Sequence, residues 1–380
     1  MADVRDIVIV GGGVIGLSIA RQLHKRGAGK ISVVDAGICG REASWAAGGM
    51  LAPQAETDET GPFFDLCSRS RDLYPSLADE LLDETGIDIE LDRAGTLYLV
   101  FDEADSLMVR DRFDRQKAAG LTVELMDTQS VRTAEPHVSP TVQEALYFAG
   151  DWQVDNRKLC VALQRYCEIN GIEIIENTQV SEVISEEGKA VGIKTVSGSI
   201  AASEIVVAAG AWTSHILIGS GAVTVDVEPV LGQMIAIGGE TRVFQRVMYC
   251  RDGYIVPRRD GRVLAGSTTE KSGFQRKTTD TAAATIFSMA CRIAPGLAQV
   301  AIDDHWCGLR PRAADGFPVI GRIEEISGLF VATAHYRNGI LLAPVTAALA
   351  AESIMGGESS SYLAIFGPGR FRSMANKVGS

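Results

Sequence analysis

The sequence predicts an α/β plus α+β protein in which a parallel-sheet domain is combined with a second, mainly antiparallel β-sheet domain, both discontinuous along the chain. Three observations predict it. The chain opens on strand, glycine turn, helix and strand. The same texture of short apolar runs and amphipathic helices returns at 156–175, 205–212 and 329–352. Between these stretches, 95–101 and 227–269 carry alternating β patterns and turns such as Asp260-Gly261, the mark of antiparallel pairing.

Ile7-Val8-Ile9-Val10 is a continuous apolar run, as expected of a strand covered on both faces in a parallel sheet. Gly11, Gly13 and Gly16 follow as GxGxxG, and Ile15, Ile19, Ala20 and Leu23 recur at helical spacing until Gly27. Ile31-Ser32-Val33-Val34 is the second strand and ends on Asp35. A glycine motif alone is weak evidence; here it follows a strand, opens a helix and precedes an acidic residue at the end of the next strand. That context predicts a Rossmann-like dinucleotide site. The glycines permit close backbone approach, the helix start offers unpaired N–H groups to a pyrophosphate, and Asp35 accepts from an adenosine ribose.

Further along, Asn156–Ile169 is an amphipathic helix that places Cys160 and Cys167 on one buried face, followed by a strand at 172–175. Glu187-Gly188 and Ser197-Gly198 mark hairpin turns, and 205–212 is expected to be one buried strand running into small residues that admit a ligand. Leu329–Thr333 is another strand, and a helical pattern resumes at 339–352 with Pro344 near its start. These elements divide the chain into a nucleotide-binding domain at 1–90, 151–226 and 306–365, a substrate domain at 91–150 and 227–305, and a C-terminal tail at 366–380.

Composition narrows the function. Of 380 residues, 46% are hydrophobic and 22% charged, and 36 Lys and Arg against 48 Asp and Glu give a net charge of −12, so no cationic field is available for nucleic acid or anionic lipid. No apolar run approaches the roughly 20 residues of a membrane span, and a cytoplasmic, non-secreted protein is expected. The seven cysteines form no CxxC pair and no histidines stand at ligand spacing, so neither a disulfide framework nor a metal is expected.

A fingerprint at the extreme N-terminus, with no second fingerprint-bearing half, suits FAD better than NAD, because FAD spans the molecule and is completed by distant segments. The chain resembles the glycine oxidase branch of the D-amino-acid oxidase and sarcosine oxidase family of flavoproteins. The stretches that carry the resemblance are Gly11-Gly12-Gly13-Val14-Ile15-Gly16, Ser44-Trp45-Ala46-Ala47-Gly48-Gly49-Met50-Leu51 and Tyr254-Ile255-Val256-Pro257-Arg258. They continue in Gly308-Leu309-Arg310-Pro311 with Asp315-Gly316, and in His335-Tyr336-Arg337-Asn338-Gly339-Ile340-Leu341-Leu342-Ala343-Pro344.

The resemblance implies non-covalent FAD, with Val14, Ile15, Asp35 and Ala36 around the adenosine and pyrophosphate and Val180 near the adenine. Ala43, Ser44, Gly48, Gly49 and Met50 would approach the flavin, and His335, Tyr336, Arg337, Asn338, Gly339, Ile340 and Leu341 would complete the ring site. A helix beginning after Gly339 directs its positive end at charge that accumulates on reduction.

Hydride transfer from an amino acid's Cα requires a fixed carboxylate, a neutral amine and a dry ring face, and needs no protein acid in that step. The resemblance assigns the carboxylate to the Arg310 fork, with Arg337 assisting and the Tyr254 phenol closing the pocket. Arg312 is expected to be an exposed structural charge, His305 a solvated turn residue and Cys307 a buried thiol. Two positions depart from the family pattern: Asp252 stands where a histidine is usual and Thr269 where a methionine lines the pocket, and both, with Met50, are expected at the substrate.

The expected function is therefore oxidation of glycine or a related small D- or secondary amino acid to an imine, then 2-oxo acid and ammonia, with O2 reduced to hydrogen peroxide. In the family such enzymes supply thiamine thiazole synthesis and often form homo-oligomers. Two alternatives stand beside it: a dehydrogenase passing electrons to a quinone or partner protein, and a non-catalytic carrier on a flavin-type fold.

Overall fold

The structure, a computed structural model, describes residues 5–372 apart from 58, 219, 223, 224, 358 and 359. Two eight-stranded sheets organise it. The first runs in the order Val319–Arg322, Leu329–Thr333, Gly198–Val207, Arg5–Val10, Ile31–Val34, Glu173–Ile175. All neighbours are parallel except the edge strand Val319–Arg322. Val8, Ile9, Val33, Val206 and Val331 are fully buried, which is why these strands are continuous apolar runs rather than alternating ones. The hairpin Val180–Glu186/Lys189–Thr195 is stitched to the start of Gly198–Val207, and Glu187 and Gly188 turn it with φ of 48° and 75°, the twist-matched geometry of tight hairpins.

Helices Val14–Lys25, Asn156–Ile169 and Gly339–Ile354 bury their apolar faces in one core cluster with Ile7, Ile9 and Phe330 of the sheet. Asp155 caps Asn156–Ile169 through the N–H groups of Arg157 and Lys158, both at 2.9 Å. Cys160 and Cys167 are both buried. Pro344 lies inside Gly339–Ile354 and cannot donate to the carbonyl of Ile340, a defect that in an isolated helix costs about 3 kcal/mol. The Tyr74 phenol donates to that carbonyl. Ser70 Oγ is inserted in the next rung, donating to the Leu341 carbonyl at 2.6 Å and accepting from Val345 N–H at 3.2 Å.

The second sheet runs Ile302–Ala313, Val227–Ile237, Val263–Gly266, Gly253–Pro257, Val247–Cys250, Thr96–Val100, Glu144–Phe148, Glu124–Asp127. It is antiparallel except where Val247–Cys250 lies parallel to Thr96–Val100. Helix Asp280–Ile293, capped by Thr279, packs Ile286, Met289, Ala290 and Ile293 against Ile235, Ile255 and Ala265. Val227–Ile237 and Ile302–Ala313 pair along their whole length, from Val227↔Ala313 to Ile237↔Ile302. The end of Ile302–Ala313 reaches the first sheet's elements, where Arg312 bridges to His335.

Three expectations change. The stretch 205–212 is not one strand: β structure ends at Val207, and Gly210, with φ of 52°, starts a 3-10 turn over Gly210–Trp212. His305 lies in a strand rather than a turn, its Nε2 3.1 Å from Gln233 Oε1. The expected division at 305/306 falls inside the continuous strand Ile302–Ala313. Among the described residues, no helix is long and apolar enough to cross a membrane.

Candidate active site

One large cavity, with about 2190 Å³ of empty space including its open mouth, runs between the two sheets from the start of helix Val14–Lys25 to strands Val227–Ile237 and Ile302–Ala313. At its first end lie Gly11, Gly13, Val14, Ile15, Asp35, Ala36, Ala43, Ser44 and Val180. Gly11 has φ of 108°, and a Cβ there would run into the Ala208 carbonyl, so only glycine closes this turn without strain. Gly13 caps the helix with no side-chain bond, leaving first-turn N–H groups for a ligand. The turn is held by side chains: Gly12 N–H donates to Asp35 Oδ2 at 2.7 Å, Gly37 N–H to Asp35 Oδ1 at 2.8 Å, and Val14 N–H to Ser44 Oγ at 3.0 Å.

At the other end, Arg310, Tyr254, Arg337 and Met50 meet. Arg310 lies across Gly232, where a Cβ would fall inside its guanidinium. It donates from Nη1 to the Thr268 carbonyl at 3.1 Å and from Nη2 to Ser267 Oγ at 2.8 Å. No carboxylate among the described residues pairs with it. A guanidinium has five N–H donors, so the rest of the fork stays available. The Tyr254 ring is buried, and among the described residues its hydroxyl has only the Met234 sulfur, at 3.8 Å, for an acceptor. Arg337, by contrast, is paired: Nη2 lies 2.9 Å from Glu56 Oε1, which also accepts from the Tyr249 hydroxyl at 2.7 Å. Glu56 beside it pushes the Arg337 guanidinium further up from its ordinary value, fixing its positive charge.

The wall between the ends is Ala47, Gly48, Gly49 and Met50 on one side and 335–340 on the other. Ala334 and Tyr336, with φ of 56° and 49°, turn the chain from strand to helix around His335. His335 is buried, faces Thr346 Oγ1 at 3.0 Å, and is pushed down to about 3 by burial, so its ring is neutral.

Of the residues that the sequence assigns to the site, four do not line the cavity. Asp252 is exposed in the turn between strands Val247–Cys250 and Gly253–Pro257, its Oδ2 2.7 Å from Arg292, while Tyr254, inside the strand that follows, is buried and lines the cavity. Thr269 is exposed, and Ser267 takes the place at the cavity. Gly16 packs on the Gly11 carbonyl behind the turn. Leu341 points into the core, 1% exposed. Arg312 is half-buried against Glu228, at 2.9 Å, and Tyr336 rather than exposed. Cys307 is half-buried with Ala211, Leu231 and Leu309 and does not line the cavity.

Sequence reasoning missed Glu56, Met234, Ser267 and Arg276. Pro53, at the first turn of helix Pro53–Glu56, signals a helix start, but nothing local points its glutamate at Arg337. Arg276 pairs with Glu42, both at the cavity lining, and Phe274 of the same segment lies on Trp212 and His215, with ring centroids at 5.6 and 5.0 Å.

The family model described as FAD dependent oxidoreductase matches residues 6–353. The chain belongs to that family. It is 34% identical over 356 residues to the glycine oxidase of Pseudomonas putida, covering 93% of this chain and 95% of that one. It is 35% identical over 376 residues to the bifunctional protein ThiO/ThiG of Trichormus variabilis, covering 98% of this chain and 56% of that one. The crystal structure of glycine oxidase from Geobacillus kaustophilus superposes with a TM-score of 0.91 at 33% identity, covering 95% of this chain and 97% of that chain.

The donor set fits FAD. The uncapped helix start at Gly13, the Gly11 turn that a Cβ would block and the carboxylate of Asp35 match a pyrophosphate and a ribose. The apolar wall through Gly48, Met50 and Ile340 suits a ring system. The protein is thus an FAD-dependent enzyme whose cavity spans both sheets.

Proposed function

We propose that the protein oxidises glycine or a related small amino acid to its imine, which hydrolyses to 2-oxo acid and ammonia. The observation that carries this reading is Arg310: a cavity-facing guanidinium with no carboxylate partner among the described residues, held in place by Ser267 and Thr268. A half-buried cation kept without a counter-ion is a site for an anion, and its fork matches a carboxylate bidentately. Tyr254, lacking a good acceptor, donates its phenol proton to the same carboxylate. Arg337 is held back and neutralised by Glu56, which leaves the carboxylate to Arg310. Met50, Met234 and Tyr254 exclude water from the Cα. Bound FAD supplies the hydride acceptor for the Cα–H bond and, once reduced, the electrons that convert O2 to hydrogen peroxide. No side chain need move a proton in that step, and the neutral His335, buried against Thr346, is not placed to do so. Seven free cysteines fit a reducing compartment, and a cytoplasmic location is part of the proposal.

The test is an anaerobic visible spectrum of the holoenzyme with glycine, sarcosine, D-alanine and D-proline in turn. Bleaching by one or more, with recovery and peroxide release in air, is expected. Bleaching that persists in air makes the protein a dehydrogenase with another acceptor, and no bleaching by any of the four overturns the substrate class.

A further inference from the structure

Behind the cavity wall formed by Ala47, Gly48 and Gly49 lies Arg258, 5% exposed. Among the described residues, all of its side-chain bonds go to neutral acceptors. Nη1 donates to the Val154 carbonyl at 2.8 Å and Gln153 Oε1 at 3.4 Å, and Nη2 to the Gly48 carbonyl at 3.0 Å and Asn156 Oδ1 at 2.9 Å. No carboxylate among the described residues reaches it. The acids that act on it from a distance are Asp155 and Glu90; Asp155 is engaged as a helix cap and Glu90 with Lys158. Burying a guanidinium without a partner is costly, and burial here works against its charge. Replacement by an apolar side chain would remove that cost, so the charge calls for a reason other than stability.

The wall supplies one. Carbonyls of this loop and of the turn before it are satisfied from behind: Ser44 and Trp45 by Asn156 Nδ2 at 2.8 and 3.2 Å, Ala46 by Trp306 Nε1 at 3.1 Å, Gly48 by Arg258, and Gly49 by Val154 N–H at 2.9 Å. The N–H groups of Ala47, Gly48 and Gly49 have no acceptor among the described residues, and these three residues line the cavity. Oriented N–H dipoles backed by a fixed cation in a low-dielectric interior make a positive wall, which stabilises negative charge in front of it.

We propose that Arg258 is a positioning residue for the FAD-facing loop 47–49 and the fixed charge behind it, raising the reduction potential of the bound flavin by favouring its anionic reduced form. The inference rests on flavin dependence and not on the identity of the substrate. It is therefore tested without amino acid, by reducing the holoenzyme slowly against an indicator dye and reading the flavin's midpoint potential.

Arg258→Met, which keeps length and removes charge, is expected to lower the ratio of reduced to oxidised flavin at a given dye potential about tenfold, a shift of about 30 mV for this two-electron couple. Arg258→Lys, which keeps the charge but loses the planar fork, is expected to stay within about threefold of the parent ratio. Gln153→Glu leaves Arg258 in place and sets a carboxylate against it, and is expected to lower the ratio in the same direction as Arg258→Met. If Arg258→Met does not retain FAD, Gln153→Glu decides. A potential unchanged by every variant that folds and holds FAD overturns the proposal, whichever substrate the enzyme takes.

Discussion

At the nucleotide end of the cavity the contacts are local: Gly11, Gly13, Asp35 and Ser44 lie within one strand–turn–helix–strand unit and its next turn, and their partners are backbone N–H groups. At the opposite end Glu56, Tyr254, Arg310 and Arg337 arrive from distant segments and meet through charges. The first end is a backbone geometry that tolerates no added atom. The second is a balance of one free guanidinium and one neutralised guanidinium, which can be retuned without refolding. Substitutions should therefore act through cofactor retention at one end and through substrate affinity at the other.

The largest effect is expected for Gly11→Ala. Its Cβ meets the Ala208 carbonyl at a backbone angle alanine disfavours, and the purified protein should lose its visible flavin absorbance and melt at lower temperature. A fully yellow, equally stable Gly11→Ala protein would erase the contrast between the ends. Arg310→Met should keep FAD yet weaken the amino acid by about 2–5 kcal/mol, the usual cost of removing one partner of a buried charge pair, read as a rise of about 30-fold or more in the concentration needed for anaerobic flavin reduction.

His335 lies where the two ends meet, and it predicts a pH effect. Its folded value, about 3, is below the ordinary value of 6.5, so the unfolded chain binds the proton more readily. Stability is then intact above pH 6.5 and falls as the pH drops toward 3, by up to about 1.4 kcal/mol per pH unit from this group. Denaturant melts of His335→Gln between pH 7 and 4 should show a flatter acid limb than the parent; an unchanged limb would remove His335 as its source.

Glu56→Gln should act only at the substrate end. Removing the carboxylate while keeping an acceptor for Tyr249 and Arg337 releases positive potential into the cavity, and carboxylate inhibitors such as acetate should bind severalfold tighter in a spectral titration. The smallest effect is expected for Asp252→Ala: its ion pair with Arg292 is exposed, exposed pairs contribute little, and kcat/KM should change less than about twofold.

The βαβ start was legible because its signals are covalently close: an apolar run, three glycines and an acid at fixed offsets determine a turn by steric exclusion alone. The buried helix face carrying Cys160 and Cys167, the hairpin turn at Glu187-Gly188 and the proline-bearing helix after Gly339 were legible for the same reason. Asp252 and Thr269 were misplaced because position near a motif does not fix which way a strand faces; Tyr254 points into the cavity while the turn before it faces solvent. The 205–212 stretch was misjudged because apolar small residues fit a strand or a 3-10 turn equally well, and the positive φ of Gly210 decided it.

The sequence by itself determined the family, the flavin-binding start and the arginine-bearing motifs, since those depend on residue type at short spacing. Only the tertiary structure decided which charges are free and which are matched. Arg310, Arg337 and Arg258 are one residue type in three motifs. One lies open to the cavity, one is neutralised by Glu56, and one is buried behind the flavin-facing loop among neutral acceptors. Coulomb energy depends on distance and burial, and neither is encoded in the local sequence.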